Sequence, residues 1–228
     1  MMMMIKFFAV VLVFICSIFL LENVHCQTED VGLWTGVSIG KDVSKRISAS
    51  LEVQSRFFEN ISMVDKHLVE SGIEFNADNN LKIGFGYRFM LSNDVEGFVP
   101  EQRYQADLGY KVNIERFKLN VRSRVQYGNV DFIKNEDALL QNLVNRNKLE
   151  IGYDIYKSPI EPFVATECYF DINDDIPWLY SKLRTVVGAT VNVTNYGEVE
   201  IFYMHEKEQN TNNPALSHVF GVGFKIDI

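Results

Sequence analysis

Hydrolysis on the surface of a β-strand needs a serine and a histidine on one face, within hydrogen-bond reach of each other. Ser217 and His218 are adjacent, so on a strand they point to opposite faces and cannot cooperate. His205 falls with Val199, Ile201 and Tyr203, where it reads as a polar residue at an interface. Glu161 and Glu167 share a face and raise the question of paired carboxylates. With Lys148, Lys182 and Arg184 on neighbouring segments, they read instead as members of ion pairs. His67, His205 and His218 are scattered, and beyond residue 26 the only cysteine is Cys168. That leaves no metal-ligand spacing and no intramolecular disulfide. The sequence therefore points to no catalytic residue, no metal and no cofactor.

The charged residues carry a stronger message through their spacing. Residues 117–127 read FKLNVRSRVQY, with Lys118, Asn120, Arg122, Arg124 and Gln126 at every second position and mostly apolar residues between. A strand of this kind has one charged face and one apolar face. The same alternation places Glu52 and Arg56 on one face of a strand, Arg88 on another, and Arg103 with Asp107 on a third. Further on it groups Lys148, Glu150 and Asp154, then Glu161 and Glu167, Lys182 and Arg184, and Glu198 and Glu200. The opposite faces carry Leu, Val, Ile, Phe, Tyr, Ala and Thr with few charges. A barrel with lipid outside and charge within explains this, because a basic residue at mid-bilayer costs about 2–4 kcal/mol. The inward face holds both signs in rough balance, which predicts a lumen that pairs its charges across strands. Arg122 and Arg124 need carboxylate neighbours, and Asp107, Glu150 and Asp154 are the candidates on adjacent strands.

The elements that must hold these faces are legible along the whole chain. Alternating segments cover about residues 31–39, 46–57, 69–76, 81–89, 103–112, 117–127, 148–155, 162–170, 182–193, 198–206 and 217–228. Eleven such strands, each near the ~9–11 residues that cross a bilayer at a tilt, predict an antiparallel transmembrane barrel of ten to twelve strands. Short turns at 41–45, 77–80, 113–116, 157–160 and 194–197 alternate with longer links at 59–66, 92–101, 128–145, 171–180 and 207–216. Short turns at one rim and long loops at the other are what membrane barrels show. An odd count puts the first strand's start at the long-loop rim. Either a strand hides in the 128–145 link or residues after Gln27 climb the barrel first. Residues 136–143 (EDALLQNL) favour a short helix.

The ends fit export. Lys6 precedes an apolar run from Phe7 to Leu21, too short for a comfortable spanning helix and placed as a secretory signal. Residues 1–26 are the expected signal peptide and 27–228 the barrel domain, with Cys26 either removed or, on a lipoprotein reading, acylated. No later run approaches the ~20 apolar residues of a spanning helix. Net charge −8 and a pI near 5.1 argue against a nucleic-acid partner. Aromatics near strand ends, among them Trp34, Phe57, Tyr104, Tyr127, Tyr169 and Trp178, suit interfacial girdles. At the C-terminus Phe220, Val222, Phe224, Ile226 and Ile228 share one face. They resemble the terminal-strand signal read by the barrel-assembly machinery, although Ile228 stands where that signal commonly has Phe.

Several strands together resemble one family. The pieces are EQRYQADLGYK from Glu101, FKLNVRSRVQY, NRNKLEIGY from Asn145, PFVATECYF from Pro162, KLRTVVG from Lys182 and IFY from Ile201. An Arg-rich strand pair, a Pro-x-Val-x-x-Glu strand and then Arg-x-x-x-Gly is similar to the domain of unknown function numbered 2490. The resemblance implies a small outer-membrane barrel of the Bacteroidota type and carries no activity. The expectation is therefore an outer-membrane barrel, structural or narrowly porin-like, with membrane lipids and the assembly machinery as its partners. The other classes are an outer-membrane lipid-modifying enzyme and a soluble periplasmic barrel that carries a lipid.

Overall fold

The structure, a computed structural model, describes residues 28–95, 97–130, 143–172, 179–194, 197–209 and 214–228. The expected signal segment, residues 136–142 of the expected helix and Trp178 lie outside these. Eleven strands follow one another in chain order. They are β1 (Thr28–Asp42), β2 (Ile47–Phe58), β3 (Met63–Asn76), β4 (Leu81–Asp94), β5 (Gly97–Ile114) and β6 (Phe117–Val130). After them come β7 (Leu143–Tyr153), β8 (Ile160–Asp171), β9 (Tyr180–Thr194), β10 (Gly197–Glu208) and β11 (Ala215–Asp227).

Each strand pairs antiparallel with the next, and β1 then closes the barrel on β11. An up-and-down walk of eleven strands leaves the first and last pointing the same way, so this seam is parallel, from Thr28↔Ala215 to Gly40↔Asp227. The odd count thus needs neither a hidden strand nor a climbing N-terminal segment. Closure leaves no unpaired edge, which is the condition for strands in a bilayer.

The register turns the sequence alternation into two surfaces. On the outside, Ile73, Phe85, Val53, Leu108 and Ile201 are 58, 65, 52, 52 and 53 % exposed. A soluble fold buries such side chains; here they form a continuous apolar band, far beyond the scattered apolar residues of an ordinary surface. Phe220, Val222 and Phe224 of β11 belong to it. On the inside, Leu68, Met90, Ala165, Met204 and Val219 are buried beside Arg88, Gln105, Arg124, Gln126, Arg146 and Glu167. The core of this molecule is its lumen, and most of that core is polar.

Several boundaries differ from the expectation. The link at 59–66 is a four-residue turn, because β3 begins at Met63. Glu59, Asn60 and Ile61 all have positive φ there. The Asp30 carboxylate of β1 accepts from the backbone N–H of Glu59 (3.2 Å) and Asn60 (3.0 Å), which holds this uncommon conformation in place. The link at 92–101 is absent: β4 and β5 stay paired out to Asp94↔Gly97. That hairpin contains a proline, Pro100, opposite Leu91, and the polar composition of residues 92–97 masked its pairing. β7 starts at Leu143, earlier than the predicted 148, because polar Asn145, Arg146 and Asn147 hide the alternation.

Candidate functional site

The lumen is where the chemistry sits. Cross-strand rows bring its charged residues into contact. Asp107 of β5 lies opposite Arg124 of β6, and the guanidinium donates to both carboxylate oxygens, Nε to Oδ1 at 2.6 Å and Nη2 to Oδ2 at 2.7 Å. Arg124 Nη1 also donates to Gln105 at 2.9 Å, and Gln105 Nε2 donates to Glu70 at 2.7 Å. Glu70 in turn holds Arg88. This chain of pairs spans β3 to β6.

Arg122 takes a different partner from the expected one. Its neighbour across β6–β7 is Lys148, a like charge, and the residue beyond Lys148 on β8 is Glu167. Arg122 reaches past the lysine and donates to Glu167 at 2.8 Å. Lys148 turns to Glu150 on its own strand at 2.6 Å. Glu167 is 6 % exposed and also accepts from Arg146 (2.7 Å) and from the Tyr169 hydroxyl (3.1 Å), with Arg184 at 3.9 Å. Arg184 and Lys182 meet Glu206 on β10. Glu161 is held by Lys118, and Glu198 by Lys225 at 3.2 Å.

Of the residues expected to line the lumen, all but one lie on the inner face by register. The exception is Asp154. It falls one residue past β7, exposed in the turn to β8, and its backbone N–H donates to Arg116 at 2.8 Å. It has the right parity, but the strand has ended. Arg146, Glu206 and Lys66 belong to the lumen and were not read from the sequence as part of it. Trp34 and Tyr169 also point inward, not to an interfacial girdle. Arg56 lies over the Trp34 ring at 3.7 Å, and Arg146 and Arg184 lie over Tyr169 at 4.5 and 4.9 Å. The parity of Trp34 with Gly32, Gly36 and Ser38 was the available signal.

An aromatic–glycine row runs around part of the lumen wall. In register around the wall run Phe163, Gly188, Phe202, Gly221 and Trp34. A Cβ on Gly221 would come within 2.0 Å of the Phe202 ring, and one on Gly188 within 2.7 Å of Phe163. Large and small residues alternate so that the rings lie against the wall. Trp34 and Phe202 meet edge to face at 6.5 Å. Three cavities share this pair. The largest, about 640 Å³, is lined by ten basic and five acidic side chains. The expected even balance of sign therefore does not hold at its surface.

The outer face carries polar groups as well, among them the Ser55 hydroxyl, 2.9 Å from His67 Nδ1 across β2–β3. His205 and His218 face each other across β10–β11, with rings 5.4 Å apart. The Tyr203 hydroxyl lies 2.6 Å from His218 Nδ1, and His218 Nε2 lies 3.0 Å from Glu29. Ser217 is on the opposite face, paired with Glu206. Among the described residues no group of histidine, cysteine and carboxylate is arranged to hold a metal.

Three solved structures resemble the fold. The translocator domain of the autotransporter NalP from Neisseria meningitidis has a TM-score of 0.46 at 11% identity, covering 78% of this chain and 73% of that one. The β domain of the Bordetella autotransporter BrkA gives 0.48 at 9% identity, with 78% and 81% covered. The NanC porin gives 0.47 at 12% identity, with 77% and 86% covered. A search of curated protein sequences finds no match. A family profile matches residues 31–217, nearly the whole barrel. The chain belongs to the DUF2490 family, described as proteins of unknown function.

Proposed function

We propose that this protein is an outer-membrane β-barrel whose narrow, charge-lined lumen is a conduit for small solutes. The observation that carries the reading is the pair of surfaces: an exposed apolar band outside and a hydrogen-bonded charged interior. A water-soluble barrel has no use for Phe85, Ile73 and Leu108 in solvent. The partners on this reading are membrane lipids around the band and, during biogenesis, the barrel-assembly machinery engaging β11. Secretion by the N-terminal segment belongs to the same proposal.

Fractionation tests it. The protein should stay with the membrane through a carbonate wash, shift its gel migration on heating and give small, discrete conductance steps in a planar bilayer. Release by carbonate would overturn the membrane reading. Retention and heat-modifiability without conductance would leave a structural barrel and overturn the conduit.

A second reading attaches to Tyr203, His218 and Glu29. A hydroxyl hydrogen-bonded to a histidine that also meets a carboxylate has the order of an activated nucleophile, and it lies on the outer face where a lipid would reach it. Lipid-modifying activity is then the function, and His218→Ala or Tyr203→Phe would alter the lipid A mass profile. An unchanged profile sinks this reading.

A further inference from the structure

We propose that the lumen contains a binding site for an oxyanion, a carboxylate or phosphate carried by a small solute, built from Arg56, Lys66 and Arg103. The proposal deepens the conduit reading and rests on it for the ligand's route of entry.

Four consecutive strands each contribute a cation to one cavity: Arg56 on β2, Lys66 on β3, Arg88 on β4 and Arg103 on β5. Arg56 lies directly opposite Lys66, and Arg88 directly opposite Arg103. Like charges facing each other across a ladder destabilise a sheet, more so where water is partly excluded. Elsewhere in the lumen such crowding is relieved by a carboxylate. Glu70 relieves only Arg88. Lys66 has its sequence neighbour Asp65 at 3.5 Å. Among the described residues, no carboxylate forms an ion pair with Arg56 or Arg103.

Arg56 is nonetheless held in position. Its Nε donates to Gln54 at 2.7 Å and its plane rests on Trp34. Among the described residues neither terminal nitrogen has a hydrogen-bond partner, which leaves free the fork that grips carboxylate or phosphate in two parallel bonds. Glu52, the nearest inward carboxylate on β2, is separated from Arg56 by Gln54, whose Nε2 donates to it at 3.4 Å. Glu200 lines the same cavity from β10, three residues from the turn to β9. Among the described residues, neither forms an ion pair with Arg56, Lys66 or Arg103. A cavity of about 640 Å³ accommodates a small organic anion with its water.

The test uses the full barrel in detergent and in bilayers. Calorimetric titration with inorganic phosphate and with acetate should show binding that weakens roughly tenfold for each arginine lost in Arg56→Gln and Arg103→Gln, the scale of a charge-assisted hydrogen bond. Arg56→Lys should retain part of it, and heat-modifiable migration should show each variant folded. Stronger binding of phosphate than of acetate assigns the site to phosphate-bearing solutes, and the reverse to carboxylates. Binding without any conductance supports the site and overturns the conduit. Conductance without binding, or binding unchanged in the folded double variant, overturns the site and leaves the conduit standing.

Discussion

The Arg56 guanidinium lies 3.7 Å from the centroid of the Trp34 ring, and the two residues face each other across the β1–β2 ladder. Trp34 in turn meets Phe202 edge to face, so a lumen cation rests on an aromatic pair that lines all three cavities. Such stacking is worth about 0.5–2 kcal/mol depending on desolvation. Trp34→Ala removes both the support and a large ring from the lumen. Single-channel recording should show a larger conductance, together with weaker anion binding because Arg56 loses its fixed orientation. Unchanged conductance would show that the bore is set elsewhere.

Glu167 is the hub of the lumen network. Glu167→Gln leaves Arg122 and Arg146 without their carboxylate in a buried setting, and breaking a buried pair from one side costs about 3–5 kcal/mol. Glu74→Gln breaks only the half-exposed pair with Lys82 and should cost less than about 1 kcal/mol. Denaturant unfolding in lipid vesicles compares the two. Equal effects would show that the lumen is wet enough to screen Glu167 fully.

Gly221 is required by the ring of Phe202. Gly221→Ala should destabilise the barrel by about 1–3 kcal/mol, the cost of overpacking, and Phe202→Ala in the same chain should recover most of it. A double-mutant cycle measures the coupling. Additive losses would contradict the contact.

In the β3–β4 turn, the Asp78 carboxylate accepts from the backbone N–H of Asn80 and of Leu81, each at 2.7 Å. These bonds, Asn80 first, hold its pKa below the ordinary 3.8. A depressed carboxylate contributes stability that is present at neutral pH and is lost as pH falls through its folded value. Asp78→Ala should therefore lower stability at pH 7 and have little effect well below the folded value. A carbon-13 titration of the side chain should place its midpoint under 3.8; a midpoint above would contradict the turn geometry.

How much of this was legible in the sequence follows from period two. Where one face is charged and the other apolar, as in β6, strand and face could be read, and so could Asp107 as the partner of Arg124. Asn145, Arg146 and Asn147 are polar on both faces, so β7 was read short and Arg146 was missed. Asp154 has inward parity but lies past the last hydrogen-bonded residue, and parity alone does not mark a strand's end. The partner of Arg122 depends on register: only the alignment Arg122–Lys148–Glu167 shows why the arginine skips a strand. The parallel seam is invisible to periodicity, because it is a relation between residues 28–40 and 215–227.

A charge on the outer face tests the band itself. Val121→Arg places a cation among exposed Val125, Leu149 and Leu108, at a cost of about 2–4 kcal/mol at mid-bilayer, and should abolish the heat-modifiable species. Arg122→Gln, one residue away on the inner face, should assemble. Assembly of both would contradict the assignment of faces.

The most direct test is a nitroxide scan of residues 119–126 in lipid vesicles, in a Cys168→Ser background. Oxygen concentrates in the bilayer, whereas a nickel chelate stays in water. The barrel predicts that labels at 119, 121, 123 and 125 collide preferentially with oxygen, and that labels at 120, 122, 124 and 126 do not. Loss of this two-residue alternation, or chelate access to 121 and 125 equal to that at 122, would contradict a barrel with lipid outside and charge within.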